Sequence, residues 1–128
     1  MDVPTVVVKP SEGRSVWLGG MGMVFKVSGA DTGGAFAVVE HPIVPGRLVL
    51  PHVHLHEDEY SYVLEGTIGA RVGDHEVVAG PCSYLFKPRG LMHTSWNAGP
   101  AQARRLEVIG RGTSRPRLRS MGWYNRPA

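Results

Sequence analysis

Two histidines and a glutamate lie close together near the middle of the chain, at His52, His54 and Glu59. Residues two apart on a β-strand point to the same face, so both imidazoles are expected on one side of a strand. The chain then reverses before Glu59 opens the next strand, and pairing of these two strands would bring the carboxylate beside the imidazoles. Neutral imidazoles and a carboxylate are suitable ligands for divalent Zn, Mn, Fe, Co, Ni or Cu.

A further candidate ligand follows in the segment 88–97. Pro88 and Gly90 predict a tight turn, after which His93, Ser95 and Asn97 alternate onto one face of a returning strand. If that strand faces the first two across a barrel, His93 completes a set of three imidazoles and one carboxylate. This set is close to the two-His-one-carboxylate triad of non-haem iron oxygenases, with one extra imidazole. Taken alone, His52 and His54 would favour hydrogen-bonded core or surface positions over metal binding. Glu59 and His93 at matching spacings favour a metal.

The elements that must position these side chains are predicted to be short β-strands. Turn-forming residues recur every eight to twelve positions, and none of the intervening segments has room for a three-turn helix. Such spacing predicts an all-β sandwich or barrel. Apolar and charged residues alternate in 70–72 and 104–108, so those strands are expected to have one solvent-facing side. The predicted strands are 24–27, 35–40, 47–50, 60–64, 67–72, 76–79, 84–87, 94–96 and 104–109.

Composition limits the classes of protein to consider. The 128 residues are enough for one domain, and 42% hydrophobic with 20% charged residues is an ordinary globular balance. The single cysteine excludes an intrachain disulfide. The first residues show neither a signal peptide nor an apolar span, so we expect a cytoplasmic protein without membrane contact.

The positive charge lies almost entirely near the C-terminus. Residues 101–128 carry seven Arg against one Glu, whereas residues 1–100 carry seven basic against ten acidic residues. A basic tail is compatible with nucleic acid, but the body lacks basic residues interleaved with aromatics. We therefore expect no nucleic-acid partner, and a solvated, loosely packed tail over 111–128.

The two histidine-containing segments resemble the two conserved motifs of the cupin superfamily. Gly46, His52, His54, Glu59 and Gly66 match the first motif in identity and spacing. The second motif is matched by residues of the segment 88–97, namely Pro88, Gly90, His93 and Asn97. The short segment between the motifs and the seven residues between Gly80 and Pro88 resemble small bacterial single-domain members of the type-2, quercetinase-like kind.

This resemblance implies a single-domain jelly-roll barrel of two antiparallel sheets over residues 1–110. It implies one divalent transition metal per chain on His52, His54, Glu59 and His93, with Glu59 a ligand, a catalytic base or both. The glycines, Pro88 and Asn97 would be turn or scaffold positions. Cupins commonly dimerise, so a homodimer is expected, and the β-prone segment 5–8 is a candidate to join a neighbour's sheet edge.

The implied activity is that of a metal-dependent enzyme acting on a small, metal-chelating oxygenated or aromatic molecule, with quercetinase-like dioxygenase chemistry. Two alternatives stay open, a non-oxidative cyclase or isomerase and a non-catalytic ligand-binding or sensing module, because cupins share one site among many chemistries.

Strand alternation also predicts the walls of the substrate pocket and the roles of the remaining histidines. His56 is expected in an exposed turn or behind the ligands, with direct metal ligation a less favoured alternative. His41 and His75 are predicted to lie on the surface, and Cys82 to be a small buried side chain. The predicted pocket residues are Phe36, Leu50, Ser61, Val63, Phe86 and Ser95.

Overall fold

The computed structural model describes residues 7–111 of the chain, and within this range the regular structure is almost entirely β. A single 3₁₀ turn (Gly29–Thr32) is the one helical element of the described part. No helix there is long and apolar enough to cross a membrane. The strands are β1 (Arg14–Leu18), β2 (Met21–Val27), β3 (Phe36–Ile43), β4 (Leu48–His52), β5 (Glu57–Glu65), β6 (Ile68–Val72), β7 (His75–Ala79), β8 (Tyr84–Lys87), β9 (His93–Asn97) and β10 (Ala103–Arg111).

The strands form two antiparallel sheets. One has six strands in the order β1-β2-β3-β10-β5-β8, and the other has four in the order β4-β9-β6-β7. Apolar side chains from both sheets meet in one core cluster, in which Ile43 and Val63 of the first sheet pack with Ile68 and Ala79 of the second. The sheets therefore face each other, and the predicted all-β fold of two antiparallel sheets is confirmed.

Each of the nine predicted strands overlaps an observed one, but β1 was not predicted. All five of its residues are exposed, including Trp17 and Leu18. It is the outer strand of its sheet and pairs only with β2 among the described strands. Because no side of β1 is buried, its sequence lacks the alternation that identifies a half-buried strand.

Two motif residues hold turns at the ends of β5 and β9 that lie away from Glu59 and His93. Gly66 lies between β5 and β6 with a φ of 80°, and a Cβ there would lie 2.6 Å from the Cα of Ala103. Both its backbone conformation and its surroundings therefore favour glycine. Asn97 ends β9, and its side-chain amide donates hydrogen bonds to the carbonyl oxygens of Ile43 and Ala101. It thereby ties together the ends of strands from both sheets.

Two predictions fall mainly outside the described range. The first half of the β-prone segment 5–8 lies before residue 7, and the basic tail lies beyond residue 111.

Candidate metal centre

The four candidate ligands are delivered by three strands. His52 is the last residue of β4, His93 is the first of β9, and the two are directly opposite each other in the antiparallel pair. His54 follows two residues after β4. Glu59 lies on β5, in the other sheet. The site thus lies between the two sheets.

This arrangement reverses one expectation. The strand of Glu59 was predicted to pair beside the strand of His52, with His93 facing them across the barrel. Instead β9 pairs with β4, and Glu59 reaches the imidazoles from the opposite sheet. The reason is that the chain leaves the four-stranded sheet after His52 and enters the six-stranded sheet at Glu57.

The four side chains converge on one point. Each offers a ligand atom, and these atoms all lie within 4.8 Å of one another. The His54 Nε2 is 2.6 Å from the Glu59 Oε1, and the His93 Nε2 is 3.4 Å from the Glu59 Oε2. The His52 and His93 rings lie with their centroids 4.3 Å apart. Residues His52, His54, Glu59 and His93 therefore form a cluster that can hold one metal ion.

Neighbouring groups orient two of the imidazoles. The Nδ1–H of His52 donates to the carbonyl oxygen of Leu50 at 2.8 Å, which leaves its Nε2 lone pair for the centre. The His54 Nδ1 lies 3.5 Å from a carboxylate oxygen of Glu57, and its Nε2 likewise faces the centre. Such partners on the far nitrogen fix the tautomer and orientation of metal-binding histidines.

His93 provides the strongest sign that a ligand belongs here. Its side chain is 3% exposed, its Nδ1 has no hydrogen-bond partner among the described residues, and its Nε2 has only the long 3.4 Å contact with the Glu59 Oε2. Buried polar atoms without a partner are rare because their desolvation is not compensated. A metal ion on the three imidazoles and Glu59 would satisfy the Nε2 of this ring, so the residues present fit a divalent transition metal.

Glu59 is held in its ionised form. Burial opposes ionisation of this carboxyl and is the largest single effect on its pKa, but the close approach of His93 and the Lys87 ammonium together outweigh it. The nearby Glu107 also raises the pKa and Lys87 lowers it, and the net effect is a pKa lowered to about 2. The Lys87 ammonium lies 3.0 Å from the Glu59 Oε2. A carboxylate fixed in this way is charged at neutral pH, as a ligand or a base must be.

A buried network of charges lies behind the cluster, and no sequence motif indicates it. The Lys87 Nζ is 2.6 Å from the Glu107 Oε1, the Arg105 Nη2 is 3.1 Å from the same oxygen, and the His41 Nε2 is 3.4 Å from the Oε2. All four side chains are at most 7% exposed. Burial opposes ionisation of Glu107, but Arg105 and Lys87 hold the pKa of its carboxyl well below the usual range.

The location of this network adds detail to one expectation and corrects another. On β10 the alternation of charged and apolar residues is real, but Arg105 and Glu107 point inward, whereas Leu106 and Val108 occupy the partly exposed face. His41 is buried rather than on the surface, and its Nδ1–H donates to the carbonyl oxygen of Gly22.

The candidate ligands and the charged network line one cavity of about 240 Å³. Its apolar walls come from both sheets, and they consist of Met21, Met23, Val49 and Ile109. Of the six predicted pocket residues, Ser95 lines this cavity, and its Oγ accepts a hydrogen bond from Arg105 at 2.6 Å.

The other five predicted pocket residues lie elsewhere. Val63 is fully buried in the core cluster, and Ser61 is buried with its hydroxyl 3.4 Å from the Glu107 Oε1. Leu50 is 72% exposed, because a register shift between Val49 and His52 turns Val49 inward instead.

Phe36 and Phe86 are also outside the cavity lining. Phe36 begins β3, is exposed and borders a separate depression beside His56. Phe86 stacks on Tyr60 with ring centroids 4.8 Å apart, while the next residue, Lys87, takes the inward position on β8.

The remaining singled-out residues are all exposed. His56 lies outside the ligand cluster, in agreement with the predicted turn position, and His75 is exposed at the tip of the β6–β7 hairpin. Cys82 is exposed instead of buried, and it adopts a φ of 66° in the turn before β8.

Comparison with known proteins agrees with this architecture. The chain is 36% identical over 76 residues to the tetracenomycin polyketide synthase protein TcmJ of Streptomyces glaucescens, a match covering 59% of this chain and 51% of TcmJ. The matched region thus spans about half the length of that relative.

Two solved structures illustrate the likeness in fold. One is a predicted oxalate decarboxylase from Thermotoga maritima, with a TM-score of 0.78 and 23% identity over 83% of this chain and 99% of that one. The other is KdgF from a Halomonas species, with a TM-score of 0.73 and 14% identity over 87% and 97% of the two chains. At these identities the likeness concerns the fold alone.

A family model described as the cupin domain matches residues 40–109, more than half of the chain. This range contains both histidine motifs, the four clustered side chains and the charged network behind them. The chain belongs to the cupin family.

Proposed function

We propose that this protein is a metal-dependent enzyme that acts on a small oxygenated molecule able to chelate the metal. The observation that carries the proposal is the cluster of His52, His54, Glu59 and His93 opening into a cavity of about 240 Å³. Drug-sized ligands usually occupy cavities of about 300–1,000 Å³. The substrate is therefore a small molecule, or one end of a larger one that extends from the mouth.

The residues that line the cavity have distinct roles in the proposed reaction. A divalent ion on the four ligands supplies Lewis acidity and a template for the bound oxygens. Glu59 accepts a proton from an enol or phenol hydroxyl, and Lys87, 3.0 Å away, holds that carboxylate in place. Met21, Met23 and Val49 give the cavity apolar walls that limit the access of water.

Two reaction types use these residues. The first is quercetinase-like dioxygenase chemistry on an aromatic or enediol substrate. The second is a non-oxidative cyclisation or isomerisation. The second reaction is kept as an alternative for two reasons. The chain is similar to a polyketide synthase protein, and the charged groups of Lys87 and Glu107 are buried next to Glu59. Both types place a chelating enol or phenol, such as those of polyketides, at the metal.

Turnover assays under air and under nitrogen separate the two. Protein loaded in turn with Fe, Mn, Ni, Co, Cu or Zn is mixed with flavonols and polyketide-like phenols, while oxygen uptake and product formation are followed. Oxygen uptake supports the dioxygenase, and product under nitrogen supports the non-oxidative enzyme. Either activity should decrease in the Glu59→Gln variant. It should persist in the His75→Ala variant, which changes an exposed hairpin residue. Tight binding in calorimetry with no consumption of any compound would instead indicate a binding module and refute the enzyme proposal.

We also propose that the protein works as a homodimer. The outer strand β1 exposes Val16, Trp17 and Leu18, which is unusual for a strand at a sheet edge. Light scattering should give about twice the chain mass of 13.9 kDa, and a mass equal to one chain would contradict the dimer.

A further inference from the structure

The Arg105 guanidinium has one buried nitrogen, Nε, for which the described residues provide no hydrogen-bond acceptor. The side chain is 4% exposed and lines the same cavity as the four candidate ligands. Its Nη1 donates to the Ser95 hydroxyl at 2.6 Å, and its Nη2 lies 3.1 Å from the Glu107 Oε1. The Nε–H has no hydrogen-bond partner among the described residues although it is buried.

This arrangement is that of a fixed donor. Two contacts, one to each sheet, hold the guanidinium plane, because Ser95 lies on β9 and Glu107 on β10. Leaving a buried charged N–H without an acceptor is costly, and an acceptor brought by a ligand would remove that cost. The neighbouring Lys87 differs, since its ammonium is already shared between Glu59 and Glu107.

The charges lining the cavity indicate the sign of such a ligand. The carboxylates of Glu59 and Glu107 are matched one for one by the cations of Lys87 and Arg105. A divalent ion on the ligand cluster would add positive charge that no further described carboxylate in the lining balances. Uncompensated charge in a buried site is unfavourable, so a negatively charged ligand is preferred there.

We propose that Arg105 binds a second, anionic oxygen group of a ligand whose first oxygen group is held by the metal. The inference rests on the proposed function, because it takes the metal site as given and names the class of molecule that occupies it. The substrate class is then a small molecule with two separated oxygen groups, such as two carboxylates, or an enolate and a carboxylate. Arg105 acts as a specificity residue and does not touch the metal.

The test compares two probes that differ only in the second oxygen group. Succinate and butyrate have the same number of carbons, but only succinate has an acceptor at the far end. Calorimetry on the zinc-loaded protein should show succinate binding about tenfold to a hundredfold more tightly, the range expected for one charge-assisted hydrogen bond. In Arg105→Lys this advantage should disappear, since the lysine keeps the charge but has no Nε–H in that position.

Arg104→Lys is the matched control. Arg104 precedes Arg105 on β10 but lies on the other face, where it is partly exposed and pairs with Glu40 and Glu65. This variant should keep the full advantage of succinate. Zinc content is measured in every sample, so that a loss of metal, which would overturn the proposed function, is distinguished from a loss of Arg105 recognition.

A second measurement needs no variant. In the ¹⁵N spectrum of zinc-loaded wild-type protein, succinate should shift one arginine Nε–H signal and slow its exchange with water, and butyrate should not. Equal affinities for the two probes in zinc-loaded wild-type protein would overturn the inference and indicate that Arg105 is bound to water or plays a structural role only. An Arg105→Lys variant that keeps the succinate advantage would overturn it as well.

Discussion

At the scale of single residues, Glu107 is the centre of the buried charges. Its carboxylate contacts Lys87, Arg105, His41 and the hydroxyl of Ser61, and none of these groups is more than 7% exposed. A buried ion pair contributes little over a well-packed apolar alternative, but removing one partner leaves the other charges uncompensated. Loss of the Glu107 carboxylate is therefore expected to destabilise the fold, since its buried cationic partners would lose their counter-charge.

Glu107→Gln should lower the free energy of unfolding by about 3–5 kcal/mol, because it leaves Lys87 and Arg105 with less buried negative charge. Urea denaturation at neutral pH measures the loss. The control is Glu40→Gln on the same sheet, whose partner Arg104 is 37% exposed, and the expected loss there is about 0–1 kcal/mol. Equal losses for the two variants would show that the interior network does not stabilise the fold.

The same carboxylate makes stability depend on pH. Its pKa is well below the ordinary value of 4.5 in the folded protein, so its contribution is fully present above pH 4.5. That contribution is lost as the pH falls below 4.5 towards the folded pKa, because the unfolded chain binds the proton more readily. Urea midpoints of the wild type should fall more steeply than those of Glu107→Gln over this acid range. Parallel pH profiles would contradict the ionisation assigned to Glu107.

The sequence was sufficient to identify the four ligand candidates but not the charges behind them. His52, His54, Glu59 and His93 have the spacing of two motifs, whereas Lys87, Arg105 and Glu107 belong to none. Strand alternation separates Arg105 and Glu107 from Leu106 and Val108, but it does not say which set faces inward. Charged residues are exposed by default, and only the contacts made in the fold reverse that expectation here.

At the scale of elements, the strand that carries His93 lies in close contact with its neighbour β6. His93 begins β9, and three residues later the Trp96 ring covers Gly69 of β6. A Cβ at Gly69 would lie 2.2 Å from atoms of that ring, which is too close for any side chain. Gly69 is thus required by its neighbour and not by its backbone conformation.

Gly69→Ala should lower the free energy of unfolding by about 1–3 kcal/mol, since the added methyl group overpacks the contact with Trp96. Thermal denaturation followed by circular dichroism measures the change. Gly80→Ala is the matched control because no atom lies within 4 Å of a Cβ there, and its effect should stay within about 0.5 kcal/mol. If the two variants melt at the same temperature, the packing assigned to Trp96 is wrong.

Strand positions were predictable from the regular spacing of turns, but strand pairing was not. Nothing in the local sequence of β4 says that β9, rather than the next strand β5, is its neighbour. Exposed β1 escaped prediction because none of its residues is buried. Pairing and register depend on contacts between residues distant in the chain, so they follow from the completed fold.

At the scale of the whole molecule, the ligand cluster joins the two sheets. His52 and His93 belong to the four-stranded sheet, and Glu59 belongs to the six-stranded one. A metal held by all of them would link the sheets at one end of the barrel. A ligand that binds only the folded state stabilises that state by mass action.

Addition of excess zinc to metal-free protein should therefore raise the thermal midpoint, and a chelator should reverse the rise. The stabilisation depends on the ratio of free metal to the dissociation constant and reaches about 2.7 kcal/mol when that ratio is a hundred. Calorimetric melting of His93→Ala serves as the reference, because this variant should show little response to zinc. A wild-type midpoint unaffected by zinc would indicate that the folded chain does not bind it.

The most direct test of the central claim is the metal content of the protein after equilibrium dialysis against a single divalent ion. Wild-type protein and His75→Ala, which changes an exposed hairpin residue, should each hold about one ion per chain. His52→Ala and His93→Ala should lose most of that ion at the same free concentration, since each removes one of the clustered ligands. A wild-type protein without metal, or ligand variants that retain as much metal as the wild type, would contradict the account.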